Sequence, residues 1–484
     1  MNLKAVLLST SVVVFLFLAI LPLHATLRLP SILADNMVLQ QQSAVKLWGW
    51  AAPGAIVKIQ TSWDKQSHKA TADGTGFWLQ KVTTPSAGGP YEISFSDGEK
   101  ITLSNILIGE VWFCSGQSNM EMPMQGFDRQ PVQGGNSIIA KAKPTVPIRI
   151  FNTDVEDGKR IRQFSKQVQA DCKGKWAVNS PENVALTSAA AYYFVRYVQE
   201  VLNVPVGIIV STLGGSAVEP WMSREALSSF GEVDLSILGN NAEIKSPQQT
   251  PCVLYNAKIA PLTNFTIKGF LWYQGESNRK NVELYARQVP AFVSDLRAKW
   301  DIGEFPFYFV QIAPFNYDSA EGTDAARLRE VQQQHMNDIP NSGMVTTLDV
   351  GSPLYIHPVN KETVGERLAL WALGKTYKIK GFGFAPPVYK SMEKKEHKIY
   401  IQFKNADQGI SPMWTDLKSF EIAGADQVFY PAKAEIEKST TRLAISSEKV
   451  PEPIAVRYAY KNFAEASIFS IAGIPVAPFR TDNW

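Results

Sequence analysis

The stretch Val111-Trp-Phe-Cys-Ser-Gly-Gln-Ser-Asn-Met-Glu-Met-Pro-Met124 decides how this chain is read. Val111 to Cys114 form a short apolar run of the kind that makes a fully buried strand, and the polarity then switches at once to Ser115, Gly116, Gln117, Ser118 and Asn119. A strand thus hands a serine to a loop. In open α/β sheets the carboxyl ends of the strands border a crevice lined by backbone amides and helix N-termini, which is where such enzymes place their chemistry. A polar turn with no function has the same local appearance, so the remainder of the chain has to decide.

Outward from this stretch, strands alternate with helices from about residue 106 to 375. Buried strands are expected at Val111–Cys114, Val206–Ser211, Ile267–Tyr273, Phe307–Ile312 and Met344–Leu348, each followed by a loop rich in Gly, Ser, Asn, Asp or Pro. Helices are expected at Ser188–Leu202, around Ala291–Trp300, at Ala325–Met336 and at Glu362–Leu373, where Thr363 and Glu366 have capping-box spacing. This alternation predicts an α/β domain, a parallel sheet with helices on both faces. Residues 26–105 read instead as a β-sandwich-like module, with Tyr91, Ile93 and Phe95 alternating before an Asp97-Gly98 turn. Residues 376–484 return to β-rich patterning, as in Ile399, Ile401 and Phe403.

Residues 1–25 have the pattern of an export signal: Lys4, an apolar run from Ala5 to Leu21, and a small residue at Ala25. No second apolar stretch of spanning length follows, so an exported, periplasmic or secreted protein without membrane insertion after leader cleavage is expected. The 484 residues carry a formal net charge of +3, which falls to +2 without Lys4. Such near-neutrality speaks against nucleic acid as the main partner. Three cysteines, Cys114, Cys172 and Cys252, make an odd set in which only Cys172 and Cys252 are considered as a pair. No metal-ligand spacing, Walker loop or dinucleotide loop is present, so neither a metal nor a cofactor is expected.

Histidine is scarce, and only His357 lies in a loop between the last strand and the last helix of the α/β region. His335 shares a helix stripe with Leu328 and Val331 and reads as a core residue. A serine hydroxyl needs a base beside it, and imidazole has the pKa for that task, so Ser118 and His357 are the candidate nucleophile and base. Gly214-Gly215-Ser216 and Gly275-Glu-Ser-Asn278 hold groups able to stabilise an oxyanion: backbone amides in the first, the Asn278 side chain in the second. Position 120 is Met, so the serine is outside the nucleophile-elbow pattern. Glu219 and Glu276 stay open as a glycosidase carboxylate pair.

The blocks Gly109-Glu-Val-Trp-Phe-Cys-Ser-Gly-Gln-Ser-Asn-Met-Glu121, Leu254-Tyr-Asn256, Ile259-Ala-Pro-Leu262, Trp272-Tyr-Gln-Gly-Glu-Ser-Asn278 and Ile356-His-Pro358 resemble the sialate O-acetylesterase family, a carbohydrate-esterase branch of the SGNH hydrolases. The likeness runs from Leu29-Pro30 to Pro478-Phe-Arg-Thr481. It implies an SGNH-like fold and removal of acetyl groups from sugars, either sialic acids or polysaccharides such as xylan. It implies Ser118 as nucleophile, His357 as base, and an oxyanion hole of Ser118 N–H, Gly215 N–H and Asn278. Gln117, Gln274, Glu276 and Trp221 are expected as candidate substrate contacts, with core packing the safer reading for Trp221 behind the Gly214-Gly215 loop. One departure stands out: the family's aspartate two or three residues before the histidine is replaced by Leu354 and Tyr355. A backbone carbonyl, Asp349 or Glu362 is then expected to orient the imidazole, the rival reading being a sugar-binding protein whose site has decayed.

Overall fold

The computed structural model describes residues 26–437 and 442–484, so the expected leader lies outside the described residues. The architecture is built on β1 (Lys100–Gly116), a single strand of 17 residues that belongs to two layers. Its first half pairs with Gly88–Ser96 and Val38–Gln40 of the N-terminal β region. Its second half runs through the centre of a parallel sheet with β2 (Ile148–Asn152), β3 (Trp176–Val178), β4 (Val206–Thr212), β5 (Gly269–Tyr273), β6 (Phe307–Val310) and β7 (Ser342–Val345). The order is β3-β2-β4-β1-β5-β6-β7, and only β3 is antiparallel to its neighbour. The boundary expected at 105/106 therefore falls inside a strand. There Asn105, at φ +53°, and a slip in the pairing bulge the strand and let it bend from one layer into the next.

Every residue of β4 to β7 is buried, because helices cover both faces of the sheet. The helices that matter for the site are α1 (Ser118–Glu121), α2 (Ala189–Leu202), α3 (Val282–Trp300), α4 (Asp324–Asp338) and α5 (Lys361–Trp371). Side chains of β1 alternate between the two faces. Trp112 and Cys114 join the core under α2 and α5, and Val111 and Phe113 join the core under α3 and α4. In the second core Phe113, Phe270 and Phe307 stack across three adjacent strands, with centroids 4.8 and 5.7 Å apart. Each such pair adds about 0.5–1.5 kcal/mol beyond simple burial.

The C-terminal region forms two four-stranded antiparallel sheets around Ile399, Ile401, Ile422, Leu443 and Val456. It docks on the α/β layer through Asn462, whose side-chain oxygen accepts from Ala325 N–H in the first turn of α4 (2.9 Å). His335 is buried, with Nε2 3.2 Å from the carbonyl of Ala286, in keeping with its reading as a core residue.

Several local expectations are corrected. Helix α3 begins at Val282, well before Ala291, and carries Pro290 inside it; the ring reads as a breaker in sequence, but burial of Phe292, Leu296 and Trp300 outweighs one missing backbone bond. Strand β7 is Ser342–Val345 rather than Met344–Leu348, because the Thr346 carbonyl leaves the ladder to accept from Arg367 (2.9 Å). The N-cap of α5 is Asn360, whose oxygen accepts from Thr363 N–H (3.0 Å), so the Thr363/Glu366 capping box does not form. Cys114, Cys172 and Cys252 are all buried free thiols.

Gly116 ends β1 at φ +142°, and a Cβ there would lie 2.1 Å from the Tyr273 carbonyl oxygen. Gly116→Ala is expected to lower the unfolding free energy by at least about 2 kcal/mol, from left-handed strain plus displacement of β5, as read by chemical denaturation.

Candidate active site

The register of the sheet brings three loops to one level. Gly116 of β1 pairs with Thr212 of β4 on one side and with Tyr273 of β5 on the other. Two residues beyond this row lie Ser118, Gly214 and Gly275. Gln117 takes an extended conformation as the N-cap of α1, and its side-chain oxygen accepts from Gly275 N–H (3.1 Å) rather than capping the helix. The amide of Ser118 at the start of α1 therefore has no protein acceptor among the described residues, and neither has that of Gly215. Unpaired amides at a helix start are suited to a developing negative oxygen.

Ser118 and His357 line one cavity of about 600 Å³ together with Gly214, Gly215, Arg160 and Arg162. The two catalytic candidates do not hydrogen-bond to each other directly, a looseness common in unliganded sites. Glu121, one helical turn on from Ser118, pairs with Arg160 and accepts from Gly214 N–H. Burial raises its carboxyl pKa against the opposing pull of Arg160. A Cβ on Gly214 would sit 2.6 Å from a Glu121 oxygen, which is why this turn takes the smallest residue. Arg162 is exposed and makes no ion pair with any described residue.

The group orienting His357 is none of those expected. Asp349 is clamped by the guanidinium of Arg367 at 2.6 and 2.7 Å, and Glu362 pairs with Arg196 at 3.0 Å. Instead Gln130 Oε1 lies 2.6 Å from His357 Nδ1. With that oxygen accepting, the proton sits on Nδ1 and Nε2 is left as the lone-pair nitrogen, the tautomer a base requires. The ring also packs edge-on against Phe127, with centroids 5.2 Å apart. Gln130 and Phe127 close a tight turn through mutual backbone bonds, and Gln133 N–H donates to the Val359 carbonyl (2.9 Å), so this loop and the histidine loop are tied at both ends. Burial, and secondarily the nearby Lys361 ammonium, push the imidazole pKa down to about 4. A neutral carboxamide partner offers no charge to oppose them.

Four residues expected to contact substrate are placed elsewhere. Trp221 is fully buried, stacked edge-on against Trp272 with Nε1 donating to Ser216 Oγ (2.8 Å). Gln274 is fully buried and donates to the Ser216 carbonyl and to Asn278 Oδ1. Gln117 is buried and braces the Gly275 turn. Glu276 is buried, with Oε1 2.6 Å from Asn119 Nδ2, and burial raises its pKa. All four are braces of the loops and not cavity walls. Asn278 lies just behind Gly215: its oxygen accepts from Val218 N–H (3.0 Å), and its amide is held by the Glu219 carboxylate at 3.2 Å. Neither Glu219 nor Glu276 lines the cavity.

Sequence reasoning missed Gln130, Glu121, Arg160 and Arg162. Gln130 belongs to the segment between α1 and a helix at Gly135–Lys141, which carries no hydrophobic period from which a path could be traced. Glu121, by contrast, follows Ser118 by three residues in a short helix and was recoverable from that spacing.

Comparisons with known proteins identify the family. The family described as SASA, "Carbohydrate esterase, sialic acid-specific acetylesterase", matches residues 108–373, more than half of the chain. The sialate O-acetylesterase of Homo sapiens is 30% identical, over 82% of this chain and 80% of its own length. That of Mus musculus is 26% identical, over 93% of this chain and 94% of its own. A carbohydrate acetylesterase from Xanthomonas citri superposes with a TM-score of 0.84 at 33% identity, covering 95% of this chain and all of that one. The chain therefore belongs to the sialic acid-specific acetylesterase family of carbohydrate esterases, and its chemistry is carboxylic ester hydrolysis on acetylated sugars.

Proposed function

We propose that this esterase works through an acetyl-Ser118 intermediate with His357 as general base. The observation that carries the reading is that Ser118, His357 and the free amides of Ser118 and Gly215 converge on one cavity. His357 Nε2 takes the proton as Ser118 Oγ attacks the acetyl carbonyl. The tetrahedral oxygen collects the two amides, while Asn278, held by Val218, Gln274 and Glu219 and absent from the cavity lining, braces the loop behind them. The imidazolium then protonates the departing sugar hydroxyl. Water, activated by the same ring, releases acetate. Gln130 holds the ring in the required tautomer in place of the carboxylate usual in such triads.

Within this reading the substrate is an O-acetylated sugar bearing a negative charge, such as an O-acetylated sialic acid. The unpaired Arg162, which lines the same cavity as Ser118, supports this, since a guanidinium pairs with a carboxylate in bidentate fashion. A neutral acetylated xylan gives that cation nothing to bind. The leader pattern of residues 1–25 supports export to a periplasmic or extracellular site of action.

Acetate release from O-acetylated sialic acid is expected to fall at least about a thousandfold in Ser118→Ala; equal rates in the two proteins remove Ser118 from the mechanism. Arg162→Gln is expected to raise KM for the acidic sugar by about tenfold while leaving acetylated xylan unaffected.

Catalysis needs the neutral imidazole, so a lowered pKa extends activity toward acid. The acid limb of kcat/KM is expected near the His357 value of about 4. Gln130→Glu places a carboxylate on Nδ1 and is expected to move that limb up by roughly one to three pH units. Gln130→Ala is expected to lower kcat by about tenfold to a hundredfold. A limb that does not move in Gln130→Glu shows that Gln130 does not hold the ring.

A further inference from the structure

Behind the cavity lies a buried polar group that the mechanism above does not use. Asn119, the residue after Ser118, is completely enclosed, and so is Lys361, the first residue of α5. The Lys361 ammonium donates to Asn119 Oδ1 (2.5 Å). The Asn119 amide donates to Glu276 Oε1 (2.6 Å) and to the backbone carbonyl of Ile356 (3.1 Å), the residue before His357. One carboxamide therefore bonds to groups from two other chain segments: the Glu276 turn after β5, and the loop-and-helix segment that carries His357. It is also covalently joined to the nucleophile.

This arrangement is costly, and the cost indicates a role. A lysine at the start of a helix opposes the positive end of the helix dipole. Burying it forfeits hydration that a methionine of similar volume would not need. Burial lowers the Lys361 pKa to about 7 against the pull of Glu276, and it raises the pKa of Glu276. Neither residue lines the cavity. What the pair does is orient Asn119: the cation holds the carbonyl end and the carboxylate holds the amide end, so the carboxamide cannot flip. Lys361 also stands over the Tyr273 ring at 5.4 Å, on the strand whose end sets the third loop.

We propose that Asn119, clamped between Lys361 and Glu276, is the positioning residue of the site, fixing the distance between the Ser118 hydroxyl and the His357 imidazole. Lys361, linked through Asn119 to the carbonyl of the residue before His357, has a second effect as a positive charge near the ring. The other charged groups near the ring are Arg160, Arg162 and Glu121 in the cavity lining, Glu276 behind Asn119, and the solvent-exposed Asp128–Arg129 pair on the turn between Phe127 and Gln130; Gln130 and Phe127 themselves are neutral. Both effects deepen the Ser118–His357 reading and rest on it.

The test uses the full-length protein with p-nitrophenyl acetate, whose hydrolysis reports the Ser–His pair without any sugar contact, and with NMR titration of the histidine rings. In Lys361→Met, kcat is expected to fall about tenfold to a hundredfold with KM changed less than about threefold, the signature of a misplaced pair rather than lost binding. The His357 titration and the acid limb are expected to rise together by roughly one pH unit, because a like charge has been removed. Lys361→Arg, which keeps the charge and a donor, is expected to recover part of kcat and the low-pH limb. If Lys361→Met fails to fold, the double variant Lys361→Met/Glu276→Gln leaves no unpaired buried charge and is expected to show the same kcat loss and titration shift. Wild-type kcat and an unmoved His357 titration in the Met variants overturn the proposal while Ser118→Ala remains inactive. Full activity in Ser118→Ala overturns the esterase mechanism first, and this inference falls with it.

Discussion

The site depends on one constraint, the parallel pairing of β1 between β4 and β5 in a register that sets Gly116 level with Thr212 and Tyr273. Parallel strands all end on the same side, so three separate loops start from a common line. Ser118, Gly214 and Gly275 each lie two residues beyond it. A slip of one residue would turn every side chain of β1 to the opposite face. The alternating rings at 112 and 113 prevent that slip, because Trp112 fills one core and Phe113 the other.

On this line the loops are braced by side chains that never see solvent. Gln117, Gln274, Asn278, Glu276 and Asn119 hydrogen-bond to one another's loops or to the backbone between them. A catalytic serine and histidine arriving from distant parts of the chain lose rate steeply with small displacements. A dense polar brace in a low-dielectric interior is the physical means of holding them. Several motif residues are therefore structural, and much of the cavity wall comes from plainer sequence: Arg160 at the end of a short hairpin, Arg162 just after it, and Phe127 on the turn that also carries Gln130.

The imidazole illustrates how the environment sets function. A carboxylate beside Nδ1 would raise its pKa, whereas a carboxamide fixes the same proton without adding charge. Burial and Lys361 then go unopposed, and the imidazole stays neutral well below the ordinary range. In the proposed mechanism, replacing an acid before His357 by a carboxamide from Gln130 shifts the working pH of the base.

Much of this was legible in the sequence. The short, mainly apolar runs at Val206–Ser211 and Phe307–Ile312 match strands buried on both faces, and their alternation with helical stretches points to the parallel sheet. The scarcity of histidine left His357 as the one imidazole at the sheet's mouth, and the motif around Ser118 carried the family. What the tertiary structure alone decided is which polar residue faces which. Gln274, Glu276 and Trp221 are of the same chemical types whether they line a cavity or brace a wall, and Gln130 meets His357 across a sequence separation of 227 through a loop with no period. Hydrophobic patterning records whether a residue is inside, because burial of apolar area is nondirectional and additive along the chain. A polar partner is chosen by direction and distance in space, and those exist only once the chain has closed.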